Sequence, residues 1–196
     1  MAESQDLRKV IADLADQVTK LDYLLRDITS LALIGRIGDD DFGRYLRVFV
    51  YSSVNAAKEF LAAMEALECD PQTQLLKKMF DFARHFENSV WATSRSIRLI
   101  KRIKNVHERA ELGKELRSLL KEISGKESNV HSFRNVIMHM DEKLRKPGPV
   151  IPYPDPERSK TVIKVADCEV SVFQYKEVLK GLLEISRRIL DYVMRL

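Results

Sequence analysis

The chain has 196 residues, which is enough for one domain with a substantial hydrophobic core. Hydrophobic residues make up 45% and charged residues 32%, a balance that excludes a disordered chain, and seven Gly and six Pro disfavour a turn-rich all-β fold. The net charge of +4 is too small to indicate a nucleic-acid partner by itself.

Several features favour a cytoplasmic location. The N-terminal segment, MAESQDLRKV, is polar and charged, so we expect no signal peptide, and no apolar run approaches the ~20 residues that a membrane span needs. Cys69 and Cys168 lie far apart without metal-ligand spacing, which is typical of free thiols in a reducing compartment. We therefore expect a cytoplasmic protein with no membrane association, no metal and no cofactor.

The first predicted helix carries a heptad pattern from Leu7 to Ile28 and ends at Gly35 and Gly38. Its apolar residues are Leu7, Ile11, Leu14, Val18, Leu21, Leu25 and Ile28. The pattern fits a helix of an internal bundle, and it also fits a helix that pairs with a second subunit. Asp39, Asp40 and Asp41 then favour a cap for a second helix, which we expect from Phe42 to about Leu67.

The middle of the chain is compatible with helix almost throughout. Pro71 is well placed at the start of a helical run from Gln72 to about Ile123, with a break expected near Asn105 or Gly113. A further helix is predicted from Ser128 to Arg145. Its apolar stripe consists of Phe133, Val136, Ile137, Met140 and Leu144.

Five of the six prolines fall between Lys146 and Lys160, which predicts an extended loop. The segments 161–165 and 169–173 follow as a possible small β-hairpin, and a last helix is expected from Gln174. The fold class predicted is all-α, an up-and-down helical bundle. We expect one domain over residues 1–196, with 1–68 as an N-terminal helical pair and 71–196 as the bundle.

The helix from Ser128 to Arg145 holds the best candidate site. Asn135 and His139 are four residues apart and share one face with His131, while Arg134 lies about 100° around the helix from Asn135. An imidazole can remove the proton of a ribose 2′-OH, and an arginine can bind the charge that develops on the phosphate. Arg134, Asn135 and His139 are therefore candidate catalytic residues for RNA cleavage without a metal.

Arg-x4-His alone is a weak pattern. The chain contains a second copy, Arg102 to His107, in which Ile103 rather than Asn follows the Arg. The Asn requirement singles out the copy that begins at Arg134. An ordinary solvated helix face stays open as the alternative interpretation.

The segment SFRNVIMHMD, residues 132–141, resembles the motif of the HEPN superfamily, in which Arg is followed by a polar residue and then by His. The resemblance is strong over about ten residues and extends more weakly, as a similar order of elements, over residues 71–196. It looks closest to the abortive-infection-like branch, in which an acidic residue, here Asp141, often follows the motif.

The resemblance implies a HEPN-like bundle and a metal-independent ribonuclease of a toxin or antiviral-defence system. It implies His139 as general acid or base, Arg134 as the phosphate-binding cation and Asn135 as their polar partner. It also implies a homodimer. A separate alternative is that the protein is one half of a two-component system and needs an antitoxin or another partner encoded by a neighbouring gene. One subgroup carries a modified Tyr two residues after the His, where this chain has Asp141.

A second candidate feature is basic. Arg95, Arg98, Arg102 and Arg109 would line one stripe of a continuous helix and could follow an RNA backbone, although a solvated face is the plainer interpretation. Trp91 and the nearby Phe86 are assigned to the core. The alternative function is therefore a non-catalytic helical module that binds RNA or an acidic protein through this stripe and self-associates through the first helix.

Overall fold

The computed structural model describes residues 11–23, 41–68, 75–103, 110–124, 127–138, 152–154, 162–166 and 168–195. Six helices are described: α1 (11–23), α2 (Asp41–Glu68), α3 (Leu75–Ile103), α4 (Ala110–Ser124), α5 (Glu127–Met138) and α6 (Val172–Arg195). Strands β1 (Tyr153–Pro154), β2 (Val162–Val165) and β3 (Cys168–Ser171) form an antiparallel sheet in that order. The predicted all-α bundle with a small hairpin before the last helix is confirmed.

Helices α2 and α3 pack as an antiparallel pair, with Tyr45 opposite Arg102 and Glu59 opposite His85. Phe49, Phe60 and Met64 of α2 are fully buried at helical spacing, so one stripe of α2 faces the core. Helix α3 is described to Ile103 and α4 from Ala110, so the helix break predicted near Asn105 lies outside the described residues, whereas Gly113 lies inside α4. Asp39 and Asp40, Cys69 and Pro71 lie outside the described residues.

Aromatic rings join four of the helices. Phe86 of α3 has its ring centroid 5.7 Å from Phe82, 5.5 Å from Phe133 of α5 and 5.3 Å from Tyr175 of α6. Phe60 of α2 lies 5.4 Å from Tyr175. Edge-to-face and tilted aromatic pairs contribute about 0.5–1.5 kcal/mol beyond the area that they bury, so this cluster fixes how the helices meet.

The Tyr175 hydroxyl forms the main polar contact of this core. It lies 2.9 Å from Ser89 Oγ and 2.8 Å from Thr93 Oγ1, and Ser89 Oγ donates to the carbonyl of Ala56 at 2.7 Å. Burial raises the pKa of the Tyr175 phenol far above its usual value, so the group is a neutral hydrogen-bonding partner. The chain of bonds links α2, α3 and α6.

Helix α1 buries the apolar side of its heptad pattern in the same core, and ion pairs join it to α2 and α6. Leu14, Val18 and Leu21 are buried within the chain itself, as the internal-bundle interpretation predicts; Leu7, Leu25 and Ile28 lie outside the described residues. Lys180 Nζ donates to Asp13 at 2.8 Å, which lowers the pKa of that carboxyl, and Lys58 Nζ bonds Asp22 at 2.7 Å. These two ion pairs lie beside the buried apolar residues of α1.

The sheet differs from prediction at both ends. The segment predicted as an extended loop, 146–160, contributes β1, in which Tyr153 pairs with Lys164; most of that segment lies outside the described residues. Phe173, expected in the second strand of the hairpin, belongs to α6. Ser171 explains this difference, because its Oγ accepts a hydrogen bond from the Gln174 amide at 3.5 Å and so caps α6 directly after β3.

Helix α5 presents the expected apolar face to the bundle. Phe133 and Val136 are buried and Ile137 is half-buried, while Met140, Leu144 and the rest of the predicted helix beyond Met138 lie outside the described residues. Helix α5 packs on α3 and on the sheet. None of the helices in the described part of the chain is both long and apolar enough to span a bilayer.

We expect Tyr175→Phe to lower the free energy of unfolding by about 1–2 kcal/mol, because Thr93 and Ser89 lose a buried hydrogen-bond partner. Urea denaturation followed by circular dichroism measures the change. Tyr192→Phe, on the half-buried side of the same helix, is the matched control and should change stability by less than about 0.5 kcal/mol. Equal effects of the two changes would show that the Tyr175 hydroxyl contributes nothing specific.

Candidate functional site

The structure describes two of the three motif residues, Arg134 and Asn135, both on α5. His131 and Asn135 are exposed and Arg134 is half-buried. Met138, the last residue of the described helix, is apolar and 42% exposed. His139 lies one residue beyond the described helix, so its proposed role stays a prediction.

The Arg134 side chain is directed onto α3. Its guanidinium carbon lies 5.2 Å from the ring centroid of Trp91, a cation–π contact, and Nη1 donates to Asn135 Oδ1 at 3.2 Å. Arg134 Nε is buried and has no hydrogen-bond partner in the structure as described. Among the described residues, the arginine is therefore held in place by an aromatic face and by the neighbouring amide, and no carboxylate of this part of the chain pairs with it.

A groove of about 570 Å³ runs between α2 and α3. Helix α2 lines it with Tyr51, Ser52, Asn55 and Glu59, and α3 lines it with Asn88, Trp91, Ala92, Arg95 and Arg98. Trp91 thus lines the groove and also contacts the guanidinium of Arg134. The motif helix and the groove meet at this indole ring.

The groove is basic along α3. Arg95 and Arg98 are exposed, and within the described ranges neither forms an ion pair. The single carboxylate of the lining, that of Glu59, is already occupied: His85 Nδ1 lies 2.8 Å from Oε2, and Asn88 Nδ2 donates to the same oxygen at 3.3 Å. Arg95 and Arg98 outnumber this one carboxylate, so the net charge of the groove lining is positive.

Arg102 continues the basic side of α3 toward its C-terminus. It is exposed, and its guanidinium carbon lies 5.8 Å from the ring centroid of Tyr45 on α2. The structure thus places Arg95 and Arg98 in the groove and Arg102 against Tyr45. Arg109, predicted on the same stripe, lies outside the described residues.

The core assignment of Trp91 was wrong, whereas that of Phe86 is confirmed. Trp91 is 40% exposed and Phe86 is fully buried. The reason is helical spacing: Trp91 precedes Arg95 by four residues and Arg98 by seven, so it shares their face. This spacing can be read from the sequence. The assignment to the core relied on the apolar character of Trp91 alone and therefore placed it on the wrong side of the helix.

Comparison with family models, curated proteins and solved structures finds no match to this chain.

The arrangement is chemically suited to an anionic ligand. Arginine can bind two phosphate oxygens at once, and exposed aromatic rings can stack on nucleobases. No three side chains of His, Cys, Asp or Glu in the described ranges are grouped so that they could hold a metal ion.

We expect Arg134→Ala to shift the fluorescence emission of Trp91 to longer wavelength and to raise its quenching by acrylamide, because the guanidinium no longer covers the ring. Trp91 is the single Trp of the chain, so the signal is unambiguous. The control is His131→Ala, an exposed change on the same helix. Identical spectra for Arg134→Ala and wild type would show that Arg134 does not pack on Trp91 in solution.

Proposed function

We propose that the protein is a metal-independent ribonuclease of HEPN type that acts in the cytoplasm as a toxin or antiviral-defence component. The observation that carries the proposal is the position of Arg134. Its guanidinium lies over Trp91 at the edge of a groove that also presents Arg95 and Arg98. A phosphodiester bound along these cations would lie beside the helix that leads into His139.

The chemistry needs one proton acceptor and one fixed cation. His139 accepts the proton of the ribose 2′-OH, whose oxygen attacks the adjacent phosphorus. The bond from phosphorus to the 5′-oxygen breaks, and the imidazolium or a water molecule returns a proton to that oxygen. The products are a 2′,3′-cyclic phosphate and a 5′-hydroxyl. Arg134 stabilises the negative charge on the phosphate oxygens in the transition state.

A homodimer with an antitoxin or neighbouring-gene partner belongs to the same proposal. The support from this chain is Met138, an exposed apolar side chain next to the motif on α5. An apolar group beside two polar motif residues suits a surface that a second subunit covers. Sedimentation of the wild-type protein measures the oligomeric state directly.

The first test is cleavage of RNA by the purified protein in EDTA. We expect wild type to cut single-stranded RNA and His139→Ala and Arg134→Ala to reduce the rate by at least about 100-fold, since each removes a group used in the transition state. Mass spectrometry should identify 2′,3′-cyclic phosphate ends.

His131→Ala is the matched control for the cleavage assay. It removes an exposed imidazole from the same helix, eight residues before His139, and should leave the rate unchanged. Cleavage that survives in His139→Ala at the wild-type rate would refute the catalytic assignment. Cleavage that EDTA abolishes would refute metal independence.

The second candidate is a non-catalytic RNA-binding module, and the groove favours it. Arg95, Arg98 and Trp91 form a basic surface with an aromatic ring that needs no contribution from His139.

For this candidate we expect Arg95→Glu combined with Arg102→Glu to weaken RNA binding by at least about tenfold at low salt, because two exposed cations on the basic side of α3 become anions. His139→Ala would leave binding unchanged. The charge-matched control is Lys114→Glu with Arg117→Glu on the exposed side of α4. Equal losses in the two double variants would show that only the overall charge of the protein matters.

A further inference from the structure

We propose that the groove between α2 and α3 binds the unpaired bases of single-stranded RNA, with Tyr51 as the principal stacking residue. The proposal deepens the proposed function and rests on its RNA partner. Two aromatic side chains line the groove from opposite helices: Tyr51 of α2 is 64% exposed and Trp91 of α3 is 40% exposed. Leaving both rings in water costs free energy that a stacked base recovers.

The charges beside the rings favour a nucleic acid. Along α3, Arg95 lies about 6 Å and Arg98 about 10 Å from Trp91, from the helical rise of ~1.5 Å per residue. An alternation of aromatic ring and cation suits a ligand that alternates base and phosphate. An acidic peptide would satisfy the cations but offers no flat ring for Tyr51.

Trp91 is already positioned for stacking. The guanidinium of Arg134 lies 5.2 Å from its ring centroid, so the indole is restrained before any ligand arrives. A restrained ring loses little conformational entropy when a base packs against it, which strengthens binding. Asn55, half-buried between Tyr51 and Glu59 on the same wall, offers an amide to the edge of a base.

The same geometry disfavours a duplex. In a helix of paired strands the base faces stack on one another and are hidden from protein side chains. Only unpaired bases can present a face to Tyr51 and Trp91. The groove therefore selects loops, ends or unstructured strands.

The test is a binding titration with a fluorescein-labelled 2′-O-methyl oligouridylate of about ten nucleotides, a length typical of such sites. The 2′-O-methyl groups prevent cleavage during the measurement. We expect Tyr51→Ala to weaken binding about tenfold, and Tyr51→Phe to bind as wild type because it keeps the ring. The control is Tyr23→Ala, which removes a 68% exposed Tyr from α1 and should bind as wild type.

Trp91 emission provides the second measurement, since it reports on the groove itself. We expect the oligouridylate to quench it and a 2′-O-methyl duplex of equal length to quench it far less. Inorganic polyphosphate and polyglutamate serve as polyanions without bases and should compete at least about tenfold more weakly per charge.

Three results would overturn the proposal. The first is that Tyr51→Ala binds as tightly as Tyr23→Ala, and the second is that the duplex binds as tightly as the single strand. The third is that polyglutamate competes as well as RNA, which would indicate an acidic protein partner.

The cleavage assay separates this proposal from the catalytic one. If Tyr51→Ala weakens RNA binding but His139→Ala leaves cleavage unchanged, only the catalytic role of His139 is refuted. If cleavage depends on His139 but Tyr51→Ala leaves RNA binding unchanged, only the stacking site is refuted.

Discussion

The contact between Phe86 and Phe133 holds the motif helix against the helix that carries the groove. The two rings meet edge to face, at 85° and with centroids 5.5 Å apart, in the fully buried centre of the bundle. Arg134 follows Phe133 directly, and Trp91 lies little more than one turn after Phe86. Packing of the buried pair therefore places the next pair of side chains, a cation and an indole, against each other at the surface. The candidate site is a consequence of the core.

The walls of the groove are held at two points along α2 and α3. Near one end Arg102 packs on the Tyr45 ring, and near the other His85 bonds Glu59. Because both walls are continuous helices fixed by buried side chains, the residues between these points are presented on rigid elements rather than on loops. Glu59 is hydrogen-bonded to His85 and Asn88, and the two arginines that α3 contributes to the lining outnumber this one acid, so the net potential of the groove is positive.

Much of the fold follows from helical periodicity, and the exceptions have local causes. The buried stripe of α6 was predictable because its apolar residues recur every three or four positions from Tyr175 to Val193. Phe173 was misplaced because β3 is followed by α6 without a loop. Ser171 is the last residue of the strand and also caps the helix, and the periodicity of apolar residues does not show such a direct transition. Trp91 was misplaced because residue type was weighed above spacing. The groove itself could not be predicted, since it depends on which face of α2 meets α3, and that is decided by packing across the bundle.

The bond between Arg134 and Asn135 gives a physical reason for an amide directly after the arginine. The resemblance implied Asn135 as the polar partner of His139 and Arg134; in the structure its Oδ1 accepts a hydrogen bond from Arg134 Nη1. If position 135 were an acidic residue, the guanidinium of Arg134 would form an ion pair with it and lose much of its attraction for a phosphate. A neutral amide positions the guanidinium and leaves its charge intact. Since Nε is buried without an acceptor in the described structure, the ligand-free arginine is only partly satisfied, and an incoming anion can meet the donors that remain accessible.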